Sequence, residues 1–500
     1  MQGTQQPWIP AMLQPQQTVT IINTTLAISG ALILTIYTVV RLSAKNTTTI
    51  TPRGCRRIGL QRGQSNIHDE YDPKYSNGFS ESSTDEHGRP AWRIKALFTY
   101  PIKSCKAIEL DESEIVPTGF AFDRQFCFAE LDETGNWIAR TLRNRGFNKL
   151  TLVRPEIWVP DINMQGYRSD LDEVRSGGVM LVYYPRPNPY RGVGWSAVHS
   201  AIFKTGLYLG LITREASFSV PLYQPSESPN MKPDFSAPLE RVKIWKDNPL
   251  AYNYGQYIPS SFHDFLNEVF PDSNLNIRHT TNNSHRHITL FRVNPTHTRE
   301  IYRNAPRKQE LGFQPQTGFA DAYPIHILSL SSVRDVNARC VKDIPDLSVR
   351  RFRANIVVQG PKAFEEDDWK IIRISPATAK RKASEEDDEE DSAEEGLVIY
   401  TACRTVRCKL PNVDPDTGTR HPSEPDRTLK SYRRIDKGDL TNACLGMQAV
   451  PAVKGALVIP MINASIIQSL IRVGDAISVL KTGEHCYIKM LAPGEVVEGV

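Results

Sequence analysis

Short runs of alternating or β-branched residues, separated by turn signals, recur along most of this chain and constrain its fold more than any other feature. RIKALFTY, FDRQFCFAEL, NKLTLVRPEIWV and VMLVYY form a first series, with the turn sequence ETGN at 133–136 inside it. VKIW at 242–245 opens a second series that continues with NIVVQG, WKIIRI, LVIYTAC, KGALVIP and AISVL. Such runs bounded by Gly, Pro, Asn and Asp predict strands. Helices are predicted at SSFHDFLNEVF (260–270) and SSVRDVNARCV (331–341). Many short strands with few helices predict a mixed, predominantly β fold of barrel-like domains. At 500 residues the chain exceeds one ordinary core, so two or three folded units are expected.

Residues 21–40, IINTTLAISGALILTIYTVV, are twenty positions without a charge. At about 1.5 Å per residue that length matches a hydrocarbon core of about 30 Å. No basic residue lies in 1–20, so the charged start of a secretory signal is missing. Arg41, Lys45, Arg53, Arg56, Arg57 and Arg62 follow the span, which predicts a single-pass transmembrane helix with the carboxy-terminal part cytosolic. The pattern resembles outer-mitochondrial signal anchors. Residues 1–20 then form a tail and 41–91, polar and rich in Ser, Thr, Asn, Arg and Gly, a disordered linker. Two folded segments are expected at 92–240 and 241–482, before a tail at 483–500. The first holds an irregular insertion at about 160–238. The second is interrupted at about 375–396 by an acidic low-complexity block around KRKASEEDDEEDSAEE.

A net charge of +4 gives no global case for a nucleic-acid partner. The eight cysteines are scattered, without the density of a disulfide scaffold or a second pair at zinc-ligand spacing.

Five stretches carry residue types suited to chemistry. VRCKLPNVDPDTG (406–418), followed by RTLKSYRR (427–434), sets Cys408 beside Arg407, and a neighbouring cation favours the thiolate, a soft ligand for a soft metal. Asp414-Pro415-Asp416-Thr417-Gly418 is a turn sequence that could hold the strand end bearing this cysteine. YPIKSC (100–105) and FDRQF (122–126) supply Lys103, Ser104 and Arg124, a point charge, a hydroxyl donor and a bidentate fork for a phosphate. RFRANIVVQG (351–360) puts Arg353 and Asn355 two apart, on one face of a strand. FADAYPIHILSLSS (319–332) brings Asp321 and several hydroxyls ahead of a predicted helix, to cap it or to sit near an anion there. Taken singly, each stretch is as well explained by ordinary packing or a surface ion pair.

Together and in this order they resemble the MOSC superfamily with its amino-terminal β-barrel domain, and within it the mitochondrial amidoxime-reducing components. YPIKSCK, the DR of FDRQF, the FRxN of RFRANIVV, EDDW at 366–369 and RCxxxxVDPDTG with TLKSYR carry the likeness, over about 92–480. The resemblance implies a MOSC β-barrel domain after an amino-terminal β-barrel domain, holding molybdenum cofactor (Mo-molybdopterin). It implies Cys408 as metal ligand and catalytic residue, and Lys103, Ser104, Arg124, Asp321, Arg353, Asn355 and Arg407 as cofactor-binding residues. The small hydroxyl residues that follow the family's Asp are replaced here by Ala322 and Tyr323. The implied reaction is two-electron reduction of N-hydroxylated compounds such as amidoximes. No GxGxxG fingerprint, haem-attachment motif or iron–sulfur cysteine cluster is visible. Electrons are therefore expected from an external donor, cytochrome b5 with its reductase by the same likeness.

Two other readings stand beside this one. A molybdenum-cofactor sulfur-transfer or carrier protein would use Cys408 on sulfur, but the roughly ninety residues ahead of the likeness leave no room for the pyridoxal-phosphate domain of such enzymes. A non-catalytic membrane scaffold would use the insertions and the acidic block as docking surfaces.

Overall fold

A computed structural model describes residues 15–44, 51–144, 146–190, 193–223, 237–267, 286–377, 396–453 and 470–488. The acidic block, KGALVIP at 454–460 and most of the expected carboxy-terminal tail lie outside these residues. The described chain divides into two compact units.

One unit takes its described residues from 1–50 and 185–216. Its main element is the helix Pro15–Ala44, thirty residues long, which packs with the helix Trp195–Tyr208. Among the described residues no helix is long and apolar enough to cross a membrane. This overturns the expected transmembrane anchor and the membrane localisation built on it. The physical reason lies in the side chains that interrupt the apolar run. Thr24 and Thr35 donate their hydroxyls to the carbonyls of Thr20 and Ala31 at 2.7 Å, and Thr38 donates to Leu34. Those bonds satisfy the hydroxyls within the helix, yet with Asn23, Thr25 and Ser29 these side chains lower its apolar character along its length.

The other unit holds 51–184 and 217–500. It is predominantly β, with two closed strand circuits. In the smaller, Leu239–Lys243, Leu250–Asn253, Ile288–Val293, Phe126–Leu131 and Trp137–Ala139 pair in that order. A parallel contact of Val242 with Trp137 closes it. Small side chains on the inner face, Ala129 and Ala251, leave room for Phe291 and Phe319 in its core. The turn at 133–136 connects two of these strands, as the sequence predicts. Asp132 accepts from the backbone N–H of Thr134 and Asn136, and Gly135 takes a left-handed φ of 80°.

The larger circuit runs through Ile356–Gln359, Ile325–Ser329, Cys444–Pro451, Leu397–Val406, Trp369–Ser375, Ala476–Thr482 and Arg93–Thr99. It closes where Arg93–Thr99 pairs back onto Ile356–Gln359, with Ile356 opposite Leu97. The two circuits therefore interleave along the sequence. Arg93–Thr99 belongs to the larger, although Phe126–Leu131 and the strands of 239–293 belong to the smaller.

Two polar stretches are more ordered than their composition suggests. Residues 51–91, expected to be a linker, fold onto the larger circuit. Cys55–Arg57 pairs with Arg154–Pro160, and Ile67 and Tyr75 are buried in its core. The buried Glu70 carboxylate accepts from Ser348 Oγ at 2.7 Å and Val349 N at 2.8 Å. A few well-spaced anchors suffice for order, and average polarity hides them. The expected irregular insertion contributes Val179–Pro185 and Glu215–Pro221 to a four-stranded sheet.

The helix Leu330–Cys340 is anchored by a buried acid. Glu366 accepts from Ser329 N and from Ser332 Oγ. Burial, with Asp367 beside it, pushes its carboxyl up to about 7. The folded state thus keeps a proton that the unfolded chain releases near the ordinary carboxylate value. Stability should fall as pH rises from that value to about 7 and then level off, a loss of roughly 3 kcal/mol from this group. In Glu366→Gln the amide oxygen can accept both bonds without titrating. Urea midpoints from pH 4.5 to 8 should therefore decline less for the variant, and equal slopes would reject the assignment.

Candidate functional site

A cleft of about 620 Å³ opens in the second unit, and all eight residues singled out in the sequence line it: Lys103, Ser104, Arg124, Asp321, Arg353, Asn355, Arg407 and Cys408. They arrive on strand ends and turns. Lys103 and Ser104 follow Arg93–Thr99, Arg124 precedes Phe126–Leu131, and Arg407 and Cys408 follow Leu397–Val406.

The backbone is strained where these segments meet. Six non-glycine residues among those described have positive φ, and Ser104 (70°), Arg124 (45°), Trp245 (56°) and Arg353 (56°) line the cleft. Each such conformation costs about 1–3 kcal/mol and persists only where the surroundings impose it, which happens most at functional sites. The conformation at Arg353 also corrects the expectation that Arg353 and Asn355 share a strand face. Arg353 ends the 3-10 turn Val349–Phe352 in a left-handed conformation, and the strand begins only at Ile356.

A buried polar frame holds the cations. Asp123 accepts from Tyr100 N at 2.8 Å, from Asn355 Nδ2 at 3.0 Å and from Arg124 Nη1 at 2.5 Å. The adjacent ion pair Asp123–Arg124 is thus largely buried, not an ordinary surface pair. Asn355 Oδ1 accepts from Arg124 Nη1 and from His326 N, and its Nδ2 donates also to Phe98 O. Its amide is fully occupied by protein partners, so Asn355 positions Arg124 instead of reaching a ligand. Two guanidinium groups pack on the Tyr100 ring, Arg124 at 4.3 Å and Arg353 at 4.2 Å from its centroid. Arg353 Nη1 donates to Cys105 O, whereas its Nη2 is buried with no partner among the described residues.

Lys103 is also buried. Its ammonium donates to Phe319 O at 2.9 Å and to Asp321. Burial pushes it below its ordinary value against the pull of Asp321. Loss of water tends to raise the Asp321 carboxyl, but Lys103 overrides this and holds it well below the usual range. Asp321 does not cap the predicted helix. The strand Ile325–Ser329 intervenes, and the hydroxyls of Ser331 and Ser332 are taken by Pro361 O and Glu366.

Arg407 donates to Leu445 O, Phe352 O and His326 Nε2. Burial lowers it only to about 10, so it stays charged near neutrality. Burial, and then Arg407, push His326 far below its ordinary value. The imidazole is neutral and its proton sits on Nδ1, since Nε2 accepts. Cys408 is half-buried at the cleft wall. The turn at 414–418 that follows it is pinned from outside: Arg351 bonds Asp414 at 2.6 Å, and Arg350 grips Asp416 with both η nitrogens. Gly418, at φ 71°, closes that turn onto Asp414 O. Cys403, nearest in sequence, is instead fully buried with Tyr323 and Val450, and burial pushes its thiol up to about 12.

The cleft is strongly basic, since Arg143, Lys246, Arg303 and Arg404 also line it. These, with Trp245, escaped the sequence reading because they stand outside the five stretches, and His326 was passed over although it lies within one of them. Only the lone histidine within the apolar run IHILS carried a signal.

Comparison with known proteins agrees with this architecture. The MOSC N-terminal β-barrel domain matches residues 91–168 and the MOSC domain residues 314–478. Among curated proteins, the rat mitochondrial amidoxime reducing component 2 is 37% identical over 121 residues, covering 24% of this chain and 29% of the relative. The component 1 proteins of Danio rerio and Homo sapiens are 34% and 35% identical over 142 and 129 residues, covering 28% and 25% of this chain. The matched part spans about a third of those relatives' length, 37% and 32% respectively. The chain thus carries a match to the MOSC N-terminal β-barrel domain followed by a match to the MOSC domain, the two in the expected order.

Proposed function

We propose that this chain is a molybdenum-cofactor-dependent oxidoreductase that reduces N-hydroxylated compounds of the amidoxime type, with electrons from an external donor. The observation that carries the reading is the convergence of Lys103, Arg124, Arg353 and Cys408 on one cleft. The donor set suits a phosphorylated pterin. The partnerless Nη2 of Arg353 is a buried donor in need of an anionic oxygen. When bound, the cofactor supplies the two-electron reduction of the N–O bond.

In this reading Cys408 holds the metal through its sulfur, and Arg124 and Arg353, both packed on the Tyr100 ring, grip the phosphate end. Asn355 and Asp123 keep Arg124 in place. An amidoxime takes two electrons and two protons and leaves as an amidine and water. Asp321, kept ionised by Lys103, is an acceptor for a substrate N–H and not the source of those protons near neutral pH. Cytochrome b5 with its reductase is the donor we infer, since the relatives are named as components.

Protein produced in a host that makes the cofactor should carry about one molybdenum per chain. With a reduced donor it should convert benzamidoxime to benzamidine. Loaded protein that passes sulfur to an acceptor but reduces no N-hydroxylated compound would favour the sulfur-transfer reading. Lack of any molybdenum would favour a scaffold.

A further inference from the structure

Beside Lys103 and Asp321, the cleft has a wall of different chemistry. Trp245 is exposed there, at a backbone φ of 56° that a tryptophan does not adopt without support. Its indole Nε1 donates to Asp321 Oδ1 at 3.1 Å, the same oxygen that receives Lys103. The ring is therefore fixed at its edge while its face is open to a partner. That face carries the guanidinium of Arg143, whose Cζ lies 4.1 Å from the ring centroid. Among the described residues the Arg143 guanidinium takes no hydrogen bond or ion pair. Its one partner there is the indole face, in the field of the Asp321 carboxylate. An exposed arginine held by stacking alone is weakly held, by about 0.5–1 kcal/mol.

We propose that the Trp245 face is the specificity surface of the cleft and that Arg143 occupies it as an internal stand-in for the substrate head. Trp245 then selects a flat, delocalised N–C–N group lying on the indole, with its N–H bonds within reach of Asp321. This rests on the reductase reading for the chemistry but not for the binding. Amidines and guanidines share planarity and charge delocalisation with the group that already lies on the ring. A saturated ammonium compound has charge without the flat face. Arg143 would leave the face when such a ligand arrives and return when it departs.

The test is calorimetric titration of the cofactor-loaded full chain with benzamidine and, separately, with cyclohexylamine. Trp245→Leu should weaken benzamidine binding about tenfold, and Trp245→Phe by less, since phenylalanine keeps a weaker aromatic face. Arg143→Ala should tighten benzamidine binding by a few-fold, because the competing occupant is gone. Cyclohexylamine should respond to none of the three. If Arg143→Ala weakened benzamidine, or Trp245→Leu left it unchanged, the proposal would be overturned. Trp245→Phe and Arg143→Ala keep the test open should Trp245→Leu fail to fold. Benzamidoxime turnover is measured on the same samples. Turnover without this binding pattern rejects the specificity surface alone, whereas the pattern without turnover rejects the reductase reading alone.

Discussion

Cys408→Ala should yield a folded protein that retains no stoichiometric molybdenum and reduces benzamidoxime at least about a thousandfold more slowly. Loss of residues that merely support a metal's ligands costs about 10–100-fold in affinity or activity, so removal of the one protein ligand should exceed that. The fold should survive because Cys408 is only half-buried at the cleft wall, and the turn after it is held by Arg350 and Arg351, not by the thiol. Cys403→Ala is the informative contrast. Its sulfur is sealed in a cluster with Tyr323 and Val450, so truncation there should lower stability by about 1–2 kcal/mol and spare metal content. Full molybdenum loading of Cys408→Ala, or equal losses of activity in both variants, would defeat the assignment.

Asp123→Ala should produce the largest loss of stability available from a single site residue, about 3–5 kcal/mol. The carboxylate meets three donors: Tyr100 N, Asn355 Nδ2 and Arg124 Nη1. Burial works against its charge and Arg124 supports it. Its removal would leave the Arg124 guanidinium near two other cleft cations without its counter-charge, and leave a buried backbone N–H without an acceptor. Urea unfolding monitored by circular dichroism should show the loss directly. Asp321→Asn should cost less, because that side chain is more exposed than the Asp123 side chain and meets one buried cation and the indole edge. Similar losses for the two would mean that the frame around Asn355 is not what holds Arg124.

The chemistry of the site was more legible in the sequence than its architecture. Cys408, Arg124 and Lys103 stand in short motifs whose residue types belong together chemically, and such motifs survive without knowledge of the fold. Arg353 and Asn355 were found for a reason that the structure corrects, since a left-handed residue breaks the strand that the pattern suggested. Segment 51–91 was misjudged because Cys55, Ile67, Glu70 and Tyr75 are too widely spaced to show a period, although each is buried. The helix at Pro15–Ala44 was misjudged for the converse reason. Lack of charge resembles membrane character, and the threonines and Asn23 were given too little weight against it. Trp245 and Arg143 meet only through folding, so no local pattern could pair them.

The interleaving of the two strand circuits bears on what either matched segment could form by itself. Were the later matched segment transferred to a new gene by itself, it would arrive without Arg93–Thr99. Ile356–Gln359 and Ala476–Thr482 would then face solvent with open backbone edges. The two segments are thus partners in a single closed surface that neither completes alone.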